Sequence, residues 1–134
     1  MNILGLDNGF EVKNIKKNDV PDWVKLPWNW GDNRECQEIA YFRKYWGIRG
    51  EILTKLHCRE NNNSVTQVDT EDIIPLIKIL MRYLDKEYYE DNANSIWEYN
   101  EAKDNIQRSI INLIWLKSYM EIHPEVECYF YDSW

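Results

Sequence analysis

An α+β domain, with three to four helices packed on a small antiparallel sheet formed by the terminal strands, is the architecture predicted for this chain of 134 residues. Three observations predict it. Near one end, Phe10 and Val12 alternate with Glu11 and Lys13. Near the other, Val126, Cys128 and Phe130 alternate with Glu127, Tyr129 and Tyr131. Both show the period-two pattern of half-buried strands. Between them apolar residues recur at steps of three and four, as on helices with one buried face. The length suits one compact domain, residues 1–134, with a core large enough to need no metal or disulfide support.

Taken in order, the first strand lies within Leu4 to Lys13. Asp19 to Asn33 holds Pro21, Pro27, Trp23, Trp28, Trp30 and Gly31, which reads as a loop pinned by its tryptophans. Asp32 or Asn33 then caps a first helix from Glu35 to about Trp46, because Ile39, Phe42 and Trp46 fall at i, i+3 and i+7. Gly47 and Gly50 are expected to break or bend it, with a further helical segment from Glu51 to about His57. Arg59 to Ser64 is a polar turn, and a third short strand from Thr66 to Asp69 would help an otherwise marginal two-stranded ribbon.

A second long helix begins around Asp69 to Asp72, where carboxylates favour the positive end of the helix dipole. Its stripe is Ile73, Leu76, Ile77, Leu80 and Leu84, and Pro75 fits only in the first turn. A third helix, about Asn94 to Ile122, carries Ala102, Ile106, Ile110, Leu113 and Leu116, and Pro124 stops it. The simplest closure pairs the first strand antiparallel with the last.

Charge narrows the partners. The formal net charge is -7, but residues 1–50 hold eight basic and seven acidic side chains, so the deficit lies in residues 51–134. Bulk nucleic acid is disfavoured, since polymer binding relies on a basic surface that neutralises phosphates. Small anions are not, because a local cationic pocket can coexist with an acidic remainder. No apolar run approaches the roughly 20 residues that span a bilayer, so no membrane partner is expected. The first seven residues lack the layout of a signal peptide, and a cytoplasmic location is expected. Cys36, Cys58 and Cys128 show no Cys-x-x-Cys spacing, and with His57 and His123 they read as structural residues rather than a zinc site. No metal, no cofactor and no catalytic residue are expected; nucleophile elbows, phosphate-binding glycine loops and paired-histidine motifs are missing from the sequence.

The densest chemistry is Tyr41-Phe42-Arg43-Lys44-Tyr45-Trp46-Gly47-Ile48-Arg49, three cations among four rings, read with the C-terminal Trp134. Guanidinium pairs with phosphate while aromatic faces stack on a base, so the pattern suits a flat, anionic, ring-bearing ligand. Arg43 is expected to contact the anion, Lys44 or Arg49 to assist, and Tyr41, Tyr45 or Trp134 to offer a ring face. The plainer reading of the same cations is a solvated face with ion pairs to Glu38, Glu51 or Asp132. Asp7 then serves as a partner of Arg43 or of backbone donors.

Gly5-Leu6-Asp7, the central Tyr41-Phe42-Arg43-Lys44 and the closing Tyr131-Asp132-Ser133-Trp134 resemble, in the same order, the motifs of a group of small bacteriophage and prophage proteins. Those open with Gly-Leu-Asp-Met-Tyr-Leu, contain Tyr-Trp-Arg-Lys followed by Ile-His-x-Trp-Phe, and end in Tyr-x-Ser-Ser-Trp. Asp104-Asn105-Ile106 is similar to a further short motif of theirs. The chain departs from them at Arg49-Gly50-Glu51-Ile52, which replaces the His-x-Trp-Phe region, and at Tyr88 to Asn92, which stands where they carry a phenylalanine-rich loop. The resemblance implies viral origin and an accessory role in an infected bacterial host.

Two functions from different classes follow. One is a counter-defence protein that binds and sequesters a small, nucleotide-like immune signal. The other is an acidic protein-binding inhibitor of a host effector such as a nuclease, with residues 51–134 mimicking nucleic acid. Seven tryptophans exceed what one core of this size demands, and indole is favoured at interfaces, so a homo-oligomer is expected.

Overall fold

In a computed structural model, which describes residues 7–27, 36–57 and 64–133, the two ends of the chain lie side by side. β1, Asp7–Lys13, pairs antiparallel with β4, Glu127–Ser133, from Asp7 opposite Ser133 to Lys13 opposite Glu127. β2, Cys36–Arg43, flanks β1, and β3, Ser64–Val68, flanks β4, so the order is β2-β1-β4-β3 and every pairing is antiparallel. The helices are α1, Trp46–Lys55; α2, Thr70–Arg82; α3, Lys86–Asn92; and α4, Tyr99–Ile122. A 3-10 turn occupies Lys17–Asp19.

Period-two alternation divides the sheet into two faces. Phe10, Val12, Cys128 and Phe130 are buried and share one core with Ile48, Ile52, Ile73, Leu76, Leu80, Ile106 and Leu113 from the helices. The opposite face carries partly exposed tyrosines anchored to carboxylates. Tyr131 donates to Glu38 at 2.6 Å and Tyr129 to Glu127 at 2.9 Å. Gly9 separates Tyr41 from Tyr131 on that face. A Cβ there would sit 2.3 Å from the Ala40 carbonyl oxygen and 3.2 Å from the Tyr131 ring.

The segment expected to form the first helix is a strand instead. The register runs Phe10 to Ala40 but Glu11 to Glu38, so Ile39 is an extra residue in β2. This bulge turns both Ile39 and Ala40 into buried positions and sets Ile39 three residues from the buried Phe42. Strand alternation is thereby disguised as a helical step. The glycines after it do not break a helix either: Gly47 and Gly50 lie inside α1. Gly47 is required by close approach, since a Cβ would stand 1.9 Å from the Asn92 carbonyl oxygen, and its N–H donates to Ala93 at 2.8 Å.

α2 starts as expected, with the Asp72 carboxylate accepting the backbone N–H of Asp69 at 2.9 Å. It runs from Thr70, which puts Pro75 in the second turn rather than the first. The Glu71 carbonyl, four residues earlier, therefore has no helical N–H to receive. The expected third helix is α4, which starts at Tyr99 rather than about Asn94, and a short helix that was not expected, α3, capped by Asp85 through the N–H of Tyr88, precedes it. Asp85 and Glu98 supply the entries, and residues 93–98 link them.

α4 closes the free edge of β2. The carbonyls of Ile39, Tyr41 and Arg43 accept, respectively, from the amide of Asn112 at 2.9 Å, the amide of Asn105 at 3.0 Å and the indole of Trp97 at 2.8 Å. Asn105 and Asn112 lie seven residues apart, about two turns, so both amides project from one side of α4. Alternate carbonyls of an edge strand point outward, and side chains occupy all three of these.

Among the described residues no helix is long and apolar enough to cross a membrane.

Candidate functional site

The turn after β2 decides where its cations go. Lys44 has a φ of 61°, a left-handed conformation uncommon outside glycine, which reverses the chain between β2 and α1. Arg43 stays on the sheet opposite Asp7, while Tyr45 swings inward as the N-cap of α1. Tyr45 is 4 % exposed, edge-on to Phe42 at 5.9 Å between ring centroids.

Beside this turn a groove of about 430 Å³ runs between the β2 edge and the first half of α4. Tyr41, Arg43 and Tyr45 line one wall, Glu101, Asn105 and Arg108 line the other, and Trp97 and Pro27 complete it. The rings are fixed. The Trp97 indole is tied to the Arg43 carbonyl, and the Trp97 carbonyl accepts the Tyr89 hydroxyl at 2.6 Å. Tyr41 donates to Asp7 at 2.6 Å, and burial followed by that bond pushes its hydroxyl well above the usual range. Tyr45 is pushed up to about 12, chiefly by burial, with the Asn105 side chain opposing and the charges of Tyr89 and Glu101 adding to the rise.

The groove therefore holds two guanidinium groups, one carboxylate and three aromatic rings. Arg108 sends its Nε toward the Asp104 carbonyl at 3.4 Å, and among the described residues it forms no ion pair. The Glu101 carboxylate likewise has no hydrogen-bond or ion-pair partner among the described residues. With Arg43 and Arg108 beside three rings on fixed walls, the site is suited to holding a small anion that presents a flat apolar body. Cys128 offers no nucleophile here: it is fully buried in the core, and burial pushes its thiol up to about 12. Among the described residues, no group of three or more His, Cys, Asp or Glu is placed to hold a metal.

The structure brings together Tyr41, Arg43 and Tyr45 of the six residues singled out by sequence. Lys44 does not line the groove. Arg49 is directed elsewhere, into a buried ion pair with Asp132, whose two bonds are both 2.8 Å. The fold gives it Asp132, one of the partners named by the plainer reading, but buries the pair instead of leaving it on a solvated face. Trp134 lies outside the described residues. Sequence reasoning missed Trp97, Glu101, Asn105 and Arg108. Their only local signal is that Glu101, Asn105 and Arg108 step by four and three along α4, a polar stripe that on its own reads as a solvated face.

No family model, no curated protein and no solved structure matches this chain.

Proposed function

We propose that this protein binds a small, anionic, ring-bearing ligand of nucleotide type in the groove between β2 and α4, and holds it without chemical turnover. The observation that carries the reading is that Arg43 and Arg108 line one cavity with Tyr41, Tyr45 and Trp97. A guanidinium binds phosphate in a planar fork, and a neighbouring ring can stack on a base. The motif resemblance to bacteriophage proteins supplies the biological context: sequestration of a nucleotide immune signal in an infected bacterium.

The test is a calorimetric titration of the protein with mononucleotides and cyclic dinucleotides, repeated with Arg43→Ala and Arg108→Ala. Each substitution should weaken binding by roughly tenfold to a hundredfold, the worth of about 1.5–3 kcal/mol for a charged hydrogen bond. Helix content should stay near that of the parent, because both side chains are exposed. Lysine at position 43 should rescue only partly, since it lacks the fork. Capture of a nuclease effector with no nucleotide uptake would reject this reading in favour of the acidic inhibitor.

Self-association belongs to the same proposal. Trp23 is 56 % exposed, and indole is enriched where surfaces meet. Sedimentation that finds only the 16.3 kDa monomer at high concentration would overturn it.

A further inference from the structure

We infer that the ligand of this groove carries a guanine-type edge, two adjacent N–H donors read by the Glu101 carboxylate, with its phosphate held at Arg108. The inference rests on the nucleotide reading above and adds to it the base and the direction in which it lies.

Glu101 and Arg108 are seven residues apart on one helix. That is two turns less about 20°, so they project from the same face of α4, separated by about 10 Å along its axis. Opposite charges at that spacing do not neutralise one another through a direct ion pair, and neither has an ion-pair partner among the described residues. The groove is thus polar in a directional sense, with an acceptor at one end and a donor fork at the other. Tyr41, Tyr45 and Trp97 line the groove with them. The Glu101 charge acts on Tyr45, adding to the upward push on its hydroxyl.

A ligand that satisfies both ends needs an anion at one terminus and hydrogen-bond donors at the other, joined by a planar body. A nucleoside phosphate extended from base edge to phosphate has that form. Among the bases, an ionised carboxylate discriminates sharply because it only accepts. Guanine offers N1–H and the N2 amine side by side, matching the two carboxylate oxygens. Adenine sets one amine beside a ring nitrogen lone pair, and uracil flanks its single N–H with two carbonyls, so both place a repelled acceptor against Glu101. A bidentate pairing of this kind is worth about 1–3 kcal/mol of discrimination, roughly tenfold to a hundredfold.

The experiment titrates the full chain with GMP, IMP and AMP under identical salt. GMP is expected to bind tenfold or more tightly than AMP, with IMP, which keeps N1–H but lacks the N2 amine, between them. Glu101→Gln should bring GMP and AMP within a few-fold of each other. Arg108→Ala should weaken all three by a similar factor and leave the order unchanged. Circular dichroism of both variants should match the parent, because both side chains are exposed on α4. AMP binding as tightly as GMP, or a GMP preference that survives Glu101→Gln, overturns the guanine assignment while leaving nucleotide binding intact. No uptake of any of the three or of a cyclic dinucleotide overturns both.

Discussion

Arg49 and Asp132, 83 residues apart, meet in a bidentate pair with both N–O distances at 2.8 Å and side-chain exposures of 3 % and 0 %. The pair fastens α1 to β4, the strand that β1 and β3 both need. Trp46 covers the guanidinium, its ring centroid 5.4 Å from the Arg49 Cζ. Asn8, opposite Asp132 on β1, is fully buried, and neither amide atom has a hydrogen-bond partner among the described residues. Neither buried charge has bulk water to replace its partner.

Removing one partner leaves the other charge buried and uncompensated, a loss of about 3–5 kcal/mol. Arg49→Ala and Asp132→Ala should each cost that much in urea unfolding. Replacing both by apolar residues, Arg49→Met with Asp132→Leu, should recover much of the loss, because the desolvation penalty goes with the charges. Equal destabilisation by the double and the single variants would show that packing, not charge, holds α1 to the sheet.

The amide ladder on the β2 edge makes a second, graded prediction. Asn112 is buried and serves two carbonyls, those of Ile39 and Lys25, whereas the half-buried Asn105 serves Tyr41. A buried acceptor left without a donor costs about 1–3 kcal/mol. Asn112→Ala should therefore destabilise more than Asn105→Ala, by about 2 kcal/mol or more. Hydrogen exchange should report faster opening of β2 in the Asn112 variant, and equal exchange in the two would count against the ladder.

Gly47→Ala tests the packing of α1 against the end of α3. The added methyl meets backbone, the Asn92 carbonyl oxygen at 1.9 Å, which cannot rotate away as a side chain could. Overpacking of this kind costs about 1–3 kcal/mol, in a helix where alanine would otherwise be favourable. Gly50→Ala is the internal control. Among the described residues, no atom outside its own stretch of helix lies within 4 Å of its Cβ position, so that substitution should be neutral or stabilising. A thermal melt distinguishes the two, and identical midpoints would refute the close approach.

What the sequence disclosed and what it hid both have local causes. β1 and β4 were legible because Phe10, Val12, Cys128 and Phe130 alternate without interruption on one buried face. α2 and α4 were legible because their apolar stripes persist for several turns. β2 was not, because the bulged Ile39 breaks its period and creates a false helical step to Phe42. Gly47 suggested a break, since nothing in its neighbourhood announces Asn92, 45 positions later. The candidate site was half legible. Tyr41, Arg43 and Tyr45 are neighbours in sequence, but Glu101 and Arg108 reach them only because Asn105 and Asn112 fasten α4 to the strand. Arg49 shares their composition and not their place, because α1 turns it toward Asp132.

Tyr45 provides the last prediction, on alkaline stability. Burial is the main cause of its rise to about 12, from an ordinary value of 10.0. An unfolded chain releases that proton as pH passes 10, while the folded chain keeps it. The unfolded state then binds fewer protons, so stability falls with rising pH. The contribution is complete below pH 10 and lost progressively between pH 10 and 12. At about 1.4 kcal/mol per unit of difference, the loss attributable to Tyr45 is on the order of 3 kcal/mol. Cys128, pushed up to about 12 by burial alone, adds a loss of the same sign that begins one unit lower. Urea midpoints measured from pH 8 to 11 should therefore decline steadily. Tyr45→Phe should flatten the part of the slope above pH 10, because phenylalanine has no proton to lose. An unchanged slope in that variant would place the alkaline sensitivity on Tyr83 and Tyr131, whose hydroxyls are also raised by burial and by carboxylate partners.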